Sequence, residues 1–142
     1  YHHDAVGFNY RLPNLNAALG CAQLEHLDQM LELKRRLSNE ITALFANTSG
    51  VEVFQDKDWA NSNKWLNAIF FADRGARDAF LQKTSDRGIH TRPCWNLLAD
   101  LPMYKNAPRM GDLAASRDAV SRIVTLPSSP QLLVGETVHG NA

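Results

Sequence analysis

The sequence predicts an α+β fold, a long amphipathic helix followed by a small mixed sheet with helices packed on it. Three patterns carry that expectation. Leu27, Leu31, Leu37, Ile41, Leu44 and Phe45 recur at helical spacing, opposite Glu25, Asp28, Glu32, Lys34, Arg35, Arg36 and Glu40. Two short apolar runs, Val51 to Phe54 and Lys64 to Phe71, read as strands. A helix framed by Asp73 and Gly88 then leads to a further extended run, Ile89 to Arg92.

Taken in order, residues 1–12 show no periodicity and read as loop. Helix starts at Pro13, whose missing N–H is harmless in a first turn. Asn14 or Asn16 is the expected cap. The helix runs to about Thr48, with a bend or break expected near Gly20–Gln23, and Ser49-Gly50 ends it. Such a length suits a bridge between domains or a subunit interface. The basic run Lys34-Arg35-Arg36 is expected to be a solvated face. Val51-Glu52-Val53-Phe54 alternates as a strand does, Gln55 to Asn63 is a polar loop, and Lys64 to Phe71 is a buried strand. Asp73 caps a helix from Arg74 to Arg87 that places Ala76, Ala79, Phe80 and Leu81 toward the core. Strand, helix and strand in this order give a crossover unit or its split version. Pro93 is expected to stop the strand, since it cannot donate to a ladder. Residues 94–111 are a long loop, of the kind that often carries function. Asp112 caps a helix from Leu113 to about Ser121, and Ile123 to Leu126 is a short strand. The tail after Pro127 is rich in Ser, Pro and Gly.

The chain has 142 residues, 44% of them hydrophobic, enough for one domain, or one domain plus a piece of another, with a real core. Lys plus Arg equals Asp plus Glu at 15 each, so there is no charge excess to favour nucleic acid or an anionic membrane surface. No apolar run is long enough to span a bilayer, and no leader pattern opens the chain. Cys21 and Cys94 stand far apart without metal spacing, which fits a reduced, cytoplasmic protein. His2, His3 and Asp4 make a poor chelate, because adjacent side chains of extended backbone diverge, so no metal site is assigned. The start at Tyr1-His2-His3-Asp4, without an initiator Met, reads as a fragment of a longer enzyme.

The most informative stretch is Gly7 to Gly20, Gly-Phe-Asn-Tyr-Arg-Leu-Pro-Asn-Leu-Asn-Ala-Ala-Leu-Gly. Its loop presents an amide, a phenol and a guanidinium just before a helix, donors suited to a phosphate or carboxylate. Together with Cys21-Ala22-Gln23-Leu24-Glu25 it resembles a motif of the DegT/DnrJ/EryC1/StrS sugar aminotransferases. A second block is similar to the same family: Thr91-Arg92-Pro93-Cys94-Trp95-Asn96-Leu97-Leu98, then Leu101-Pro102-Met103-Tyr104, then Leu126-Pro127-Ser128-Ser129-Pro130.

The resemblance implies the small C-terminal domain of the aspartate aminotransferase architecture, with residues 1–22 as the end of the large domain or an interface segment and 23–142 as the small domain. It implies pyridoxal 5'-phosphate as cofactor, a homodimer, and transfer of an amino group from an amino-acid donor, glutamate by expectation, to C4 of a UDP-linked 4-keto-6-deoxy sugar. The product would feed surface polysaccharide synthesis. In the family the Schiff-base lysine precedes the asparagine motif, so none of Lys34, Lys57, Lys64, Lys83 and Lys105 is expected to be catalytic. Asn9 is expected to reach the phosphate of the partner subunit's cofactor, with Arg11 assisting there or at the interface. Tyr10, Arg92, Trp95 and Tyr104 are the expected substrate contacts. Many relatives carry a His soon after the Pro of the second block. The second block resembles the branch acting on UDP-4-keto-6-deoxy-N-acetyl sugars, and the absence of that His after Pro93 fits it. The competing expectation is a non-catalytic assembly module that lacks the cofactor lysine and self-associates through residues 13–48.

Overall fold

A computed structural model describes residues 3–9 and 11–133. Helix α1 spans Asn14–Leu24 and α2 spans Leu27–Phe45, separated by a two-residue break at Glu25 and His26. The break comes later than the predicted Gly20–Gln23. There the His26 N–H bonds Gln23 O at 3.2 Å, a tighter turn than the α ladder around it. Neither Asn14 nor Asn16 caps α1. Pro13 occupies the N-cap with extended φ and ψ of −58° and 149°, and both asparagines lie inside the helix.

Strand β1 is Val51–Val53, β2 is Asn67–Phe71, β3 is Arg92–Pro93 and β4 is Ile123–Leu126. Their order is β1-β2-β4-β3, and every neighbouring pair is antiparallel. The predicted mixed sheet is therefore corrected. β2 and β3 do run the same way, as their strand-helix-strand connection demands, but β4 is inserted between them. The unit is the split crossover, and the insertion turns both contacts antiparallel. Its helix, α3 (Arg74–Ser85), starts as expected: Asp73 accepts the Ala76 N–H at 2.8 Å. It ends in a Schellman arrangement around Gly88, at φ +72°, with Ile89 N–H on Thr84 O and Gly88 N–H on Ser85 O, both 2.9 Å. The predicted strand Ile89 to Arg92 is corrected to the two residues Arg92–Pro93, and it does end at Pro93. β3 is an edge strand, where a missing N–H is tolerated. Helix α4 (Ala114–Arg122) leads directly into β4, and Asp112 accepts the Ala114 N–H at 2.9 Å.

The core lies on one face of the sheet. Leu37 and Ile41 of α2 meet Ile69, Phe71, Val124 and Leu126, and Phe80 and Leu81 of α3 close the edge. Alternation along β2 explains this: Asn67, Ile69 and Phe71 are buried, while Ala68 and Phe70 are half-buried on the other face. Phe71 and Phe80 pack with ring centroids 5.0 Å apart. The buried Asn67 is satisfied by Ser128, whose hydroxyl accepts its backbone N–H at 2.8 Å and donates to Leu126 O at 2.8 Å. By contrast α1 has no buried residue, and Leu15 and Leu19 stand 80% and 60% exposed.

Candidate functional site

Two places on the described chain bear on function: an end of the sheet where several loops converge, and the arm before α1. At the first, Lys34 of α2 is the organising residue. Its ammonium donates to three backbone carbonyls, Lys64 O at 3.0 Å, Trp65 O at 3.0 Å and Ser128 O at 2.8 Å. The solvated face predicted for Lys34-Arg35-Arg36 holds for Arg35 and Arg36 but is corrected for Lys34. Partial burial lowers the Lys34 pKa from its ordinary value, because removing water disfavours the charged form.

The segment that Lys34 ties is bent. Lys64 sits at φ +52°, left-handed backbone that only local bonds hold in a non-glycine residue. Its N–H bonds the Ser62 hydroxyl at 2.9 Å, and the Trp65 N–H bonds Asn63 Oδ1, also at 2.9 Å. The Lys64 ammonium pairs with Asp56 at 2.9 Å, and this hydrogen bond holds the Asp56 carboxyl below the usual carboxylate range. The buried strand predicted from Lys64 is therefore corrected to start at Asn67. Trp65 stands outside it, 66% exposed, and its indole stacks on Trp95 with centroids 6.2 Å apart and planes at 24°. Sequence reasoning missed both Lys34 and Trp65. The signal for Trp65 was available: the turn-forming cluster Asn61-Ser62-Asn63 directly precedes the bend.

Of the predicted substrate contacts, Trp95 joins this place, 41% exposed on the loop after β3. Arg92 lies exposed on β3, where its carbonyl accepts the Thr125 hydroxyl at 3.2 Å. Tyr104 is elsewhere. It ends a 3-10 turn, Pro102–Tyr104, and lines an apolar groove of about 550 Å³ with Leu97, Leu98, Met110 and Leu113. The loop that carries them is braced by its charges. The Arg109 guanidinium donates to Ala99 O and Lys105 O, and Arg117 grips Asp100 bidentately, 2.8 Å at each oxygen.

The arm is the second place. Residues 3–9 and 11–16 are exposed throughout, Asn9 and Arg11 among them, beside exposed Phe8 and Leu12. Tyr10 lies outside the described residues. The arm offers an amide and a guanidinium, which fit an oxyanion such as a phosphate. Lys34 and Lys64, engaged as described, are not available as amine nucleophiles. Among the described residues no group of three or more His, Cys, Asp or Glu side chains could hold a metal ion, and Cys21 and Cys94 are both free thiols. No helix of the described residues is long and apolar enough to cross a membrane.

Comparison with known proteins adds to this geometry. Residues 1–139 match the DegT/DnrJ/EryC1/StrS aminotransferase family. GDP-perosamine synthase of Escherichia coli O157:H7 is 31% identical over 141 residues, 98% of this chain and 37% of that protein. A Bacillus subtilis protein provisionally named pyridoxal phosphate-dependent aminotransferase EpsN is 27% identical, over 96% of this chain and 36% of its own length. The crystal structure of S. venezuelae DesV superposes with a TM-score of 0.74 at 25% identity, covering 93% of this chain and 35% of that one. The chain thus spans a little over a third of the curated relatives it matches.

Proposed function

This chain belongs to the DegT/DnrJ/EryC1/StrS aminotransferase family, and from that premise we propose that it is the C-terminal part of a pyridoxal phosphate-dependent aminotransferase acting on a nucleotide sugar. The family match across residues 1–139 is the observation that carries the reading. Residues 1–22 would be the interface segment and 23–142 the small domain. The exposed apolar residues of α1 support this, since a helix with no buried residue is one whose partner surface lies elsewhere.

In this reading the residues of the chain bind and orient. Asn9 donates its amide to the phosphate of the cofactor held in the partner subunit of a homodimer, and Arg11 supplies charge to the same phosphate or to the substrate diphosphate. Arg92, Trp95 and Tyr104, with Tyr10, would contact the sugar nucleotide. The cofactor, once bound, supplies the electron sink that lets an amino group pass from glutamate to C4 of a 4-keto-6-deoxy sugar. The carrier nucleotide is proposed as UDP, on the absence of His after Pro93. The name of the E. coli relative argues for GDP instead, so the assay uses both.

The test is made on the intact protein. Bound pyridoxal phosphate whose absorbance changes with glutamate, and an amino sugar formed from a UDP- or GDP-linked 4-keto-6-deoxy sugar, are the expected results. Asn9→Ala should weaken cofactor retention about 10- to 100-fold, the range for one hydrogen bond to a charged group. An intact protein that dimerises through the α1 region and never takes up the cofactor selects the assembly-module reading.

A further inference from the structure

We infer that Lys34 is a positioning residue that sets Trp65 against Trp95, and that this pair is a stacking platform for the base of the substrate's nucleotide. The inference rests on the proposed function for the identity of the ligand, and on the geometry alone for the tie.

Tryptophan is highly buried in most proteins, yet Trp65 and Trp95 are both open to solvent. They are stacked on each other, 6.2 Å apart, at the junction of two loops. Core packing does not hold Trp65 there. Its backbone does: the N–H is bonded by Asn63 and the carbonyl by Lys34. The same ammonium holds Lys64 O and Ser128 O, so the bend and the segment after β4 are fixed to α2 through one cation. Three carbonyl acceptors around one ammonium use its three N–H donors. Lys34 is thereby spent on the backbone.

An exposed pair of indoles is chemically suited to a flat π surface. A nucleobase presents one, and stacking tolerates any base because every base has such a face. Arg92 stands on the adjoining edge strand, exposed, and a guanidinium suits the diphosphate that the base would carry. The platform was not legible in the sequence. Trp65 and Trp95 are far apart in the chain, and Lys34, which holds the Trp65 carbonyl, lies on a third element.

The experiment uses the intact protein and the variants Lys34→Met, Lys34→Arg and Trp65→Leu. The exciton couplet of stacked indoles, read by far-ultraviolet circular dichroism, reports the pair. Calorimetry with UDP and with GDP reports the platform, and KM for the nucleotide sugar reports it during turnover. Trp65→Leu should abolish the couplet, weaken nucleotide binding about 5- to 100-fold and raise KM more than it lowers kcat. Lys34→Met keeps a stem of similar size and should shrink the couplet and weaken the nucleotide, and Lys34→Arg should restore part of both. A couplet unchanged in Lys34→Met overturns the positioning role. Nucleotide affinity unchanged in Trp65→Leu overturns the platform, and would make the pair a contact surface for another part of the protein. If both arms succeed while wild-type protein transfers no amino group, the platform stands and the aminotransferase reading fails.

Discussion

Replacing Ile69 by Ala tests whether the one-sided core carries the stability of this domain. Ile69 is wholly buried in β2, opposite Val53 of β1 and Val124 of β4. The substitution removes three buried carbons, about 2.4 kcal/mol at ~0.8 kcal/mol for each. A cavity term adds to this, because the ladders on both sides keep the strand from collapsing inward. The total is about 3–4 kcal/mol. Hydrogen exchange of the β2 and β4 amides in the intact protein measures it locally. At 1.4 kcal/mol per factor of ten, exchange should quicken by about 100-fold or more. Ile69→Val leaves most of the volume and should cost about 1 kcal/mol, roughly a fivefold change. If Ile69→Ala quickens exchange by less than about tenfold, the burial argument is wrong at its central residue, and the face carrying Ala68 and Phe70 must hold the larger share of the packing.

Asp73→Ala removes the side-chain cap of α3 and should cost about 1 kcal/mol, seen as faster exchange of the Ala76 amide while β4 is unchanged. Gly88→Ala meets no atom within 4 Å of the new Cβ, but the φ of +72° makes it a backbone penalty of roughly 1 kcal/mol. A thermal scan should show the loss in Gly88→Ala and its partial recovery in Gly88→Asn. The Arg117 hydrogen bonds hold the Asp100 carboxyl below its ordinary pKa. Its contribution is therefore complete above the unfolded value, about pH 4, and is lost as pH falls through the lower folded value. Protection of the turn Leu98–Asp100, taken relative to the intrinsic exchange rate at each pH, should fall on acidification in the wild type and show no such acid-dependent fall in Asp100→Asn.

What the sequence made legible follows the range over which each signal acts. Asp73, Gly88 and the stretch Ile123–Leu126 were read correctly because capping, a positive φ and β patterning are settled within a few residues. The order of the strands was not, since β4 enters between β2 and β3 from the far end of the chain. That long-range step is also why the strand Ile89 to Arg92 was drawn too long: on that side β4 pairs only with Arg92 and Pro93, and its arrival from the far end of the chain sets that extent. The start of β2 was misplaced for a local reason. Apolar Trp65 and Leu66 extend the hydrophobic run, but the turn cluster before them bends the backbone at Lys64.

The site divides along the same line. Lys34 sits in a basic run on an amphipathic helix, and its periodicity there is that of a solvated residue. Its role depends on three carbonyls supplied by segments far along the chain, none of which a helical pattern can contain. Asn9 and Arg11 are the opposite case: their chemistry was legible, and both stand exposed, as do the other described residues of the arm. A phosphate held in water by one amide and one guanidinium is held weakly, since each interaction competes with solvent and is screened. The same pair becomes effective when a second surface excludes that water. The exposed leucines of α1 are the apolar area from which such a closure would draw its free energy. Cofactor retention and dimerisation should accordingly be linked. A substitution such as Leu19→Asp, which places a charge on the open face of α1 and leaves Asn9 and Arg11 untouched, should lower both together. Analytical ultracentrifugation and cofactor content, measured on one preparation across protein concentration, would read the two curves side by side. Loss of the dimer with full cofactor content would show that the arm does not serve the partner's phosphate.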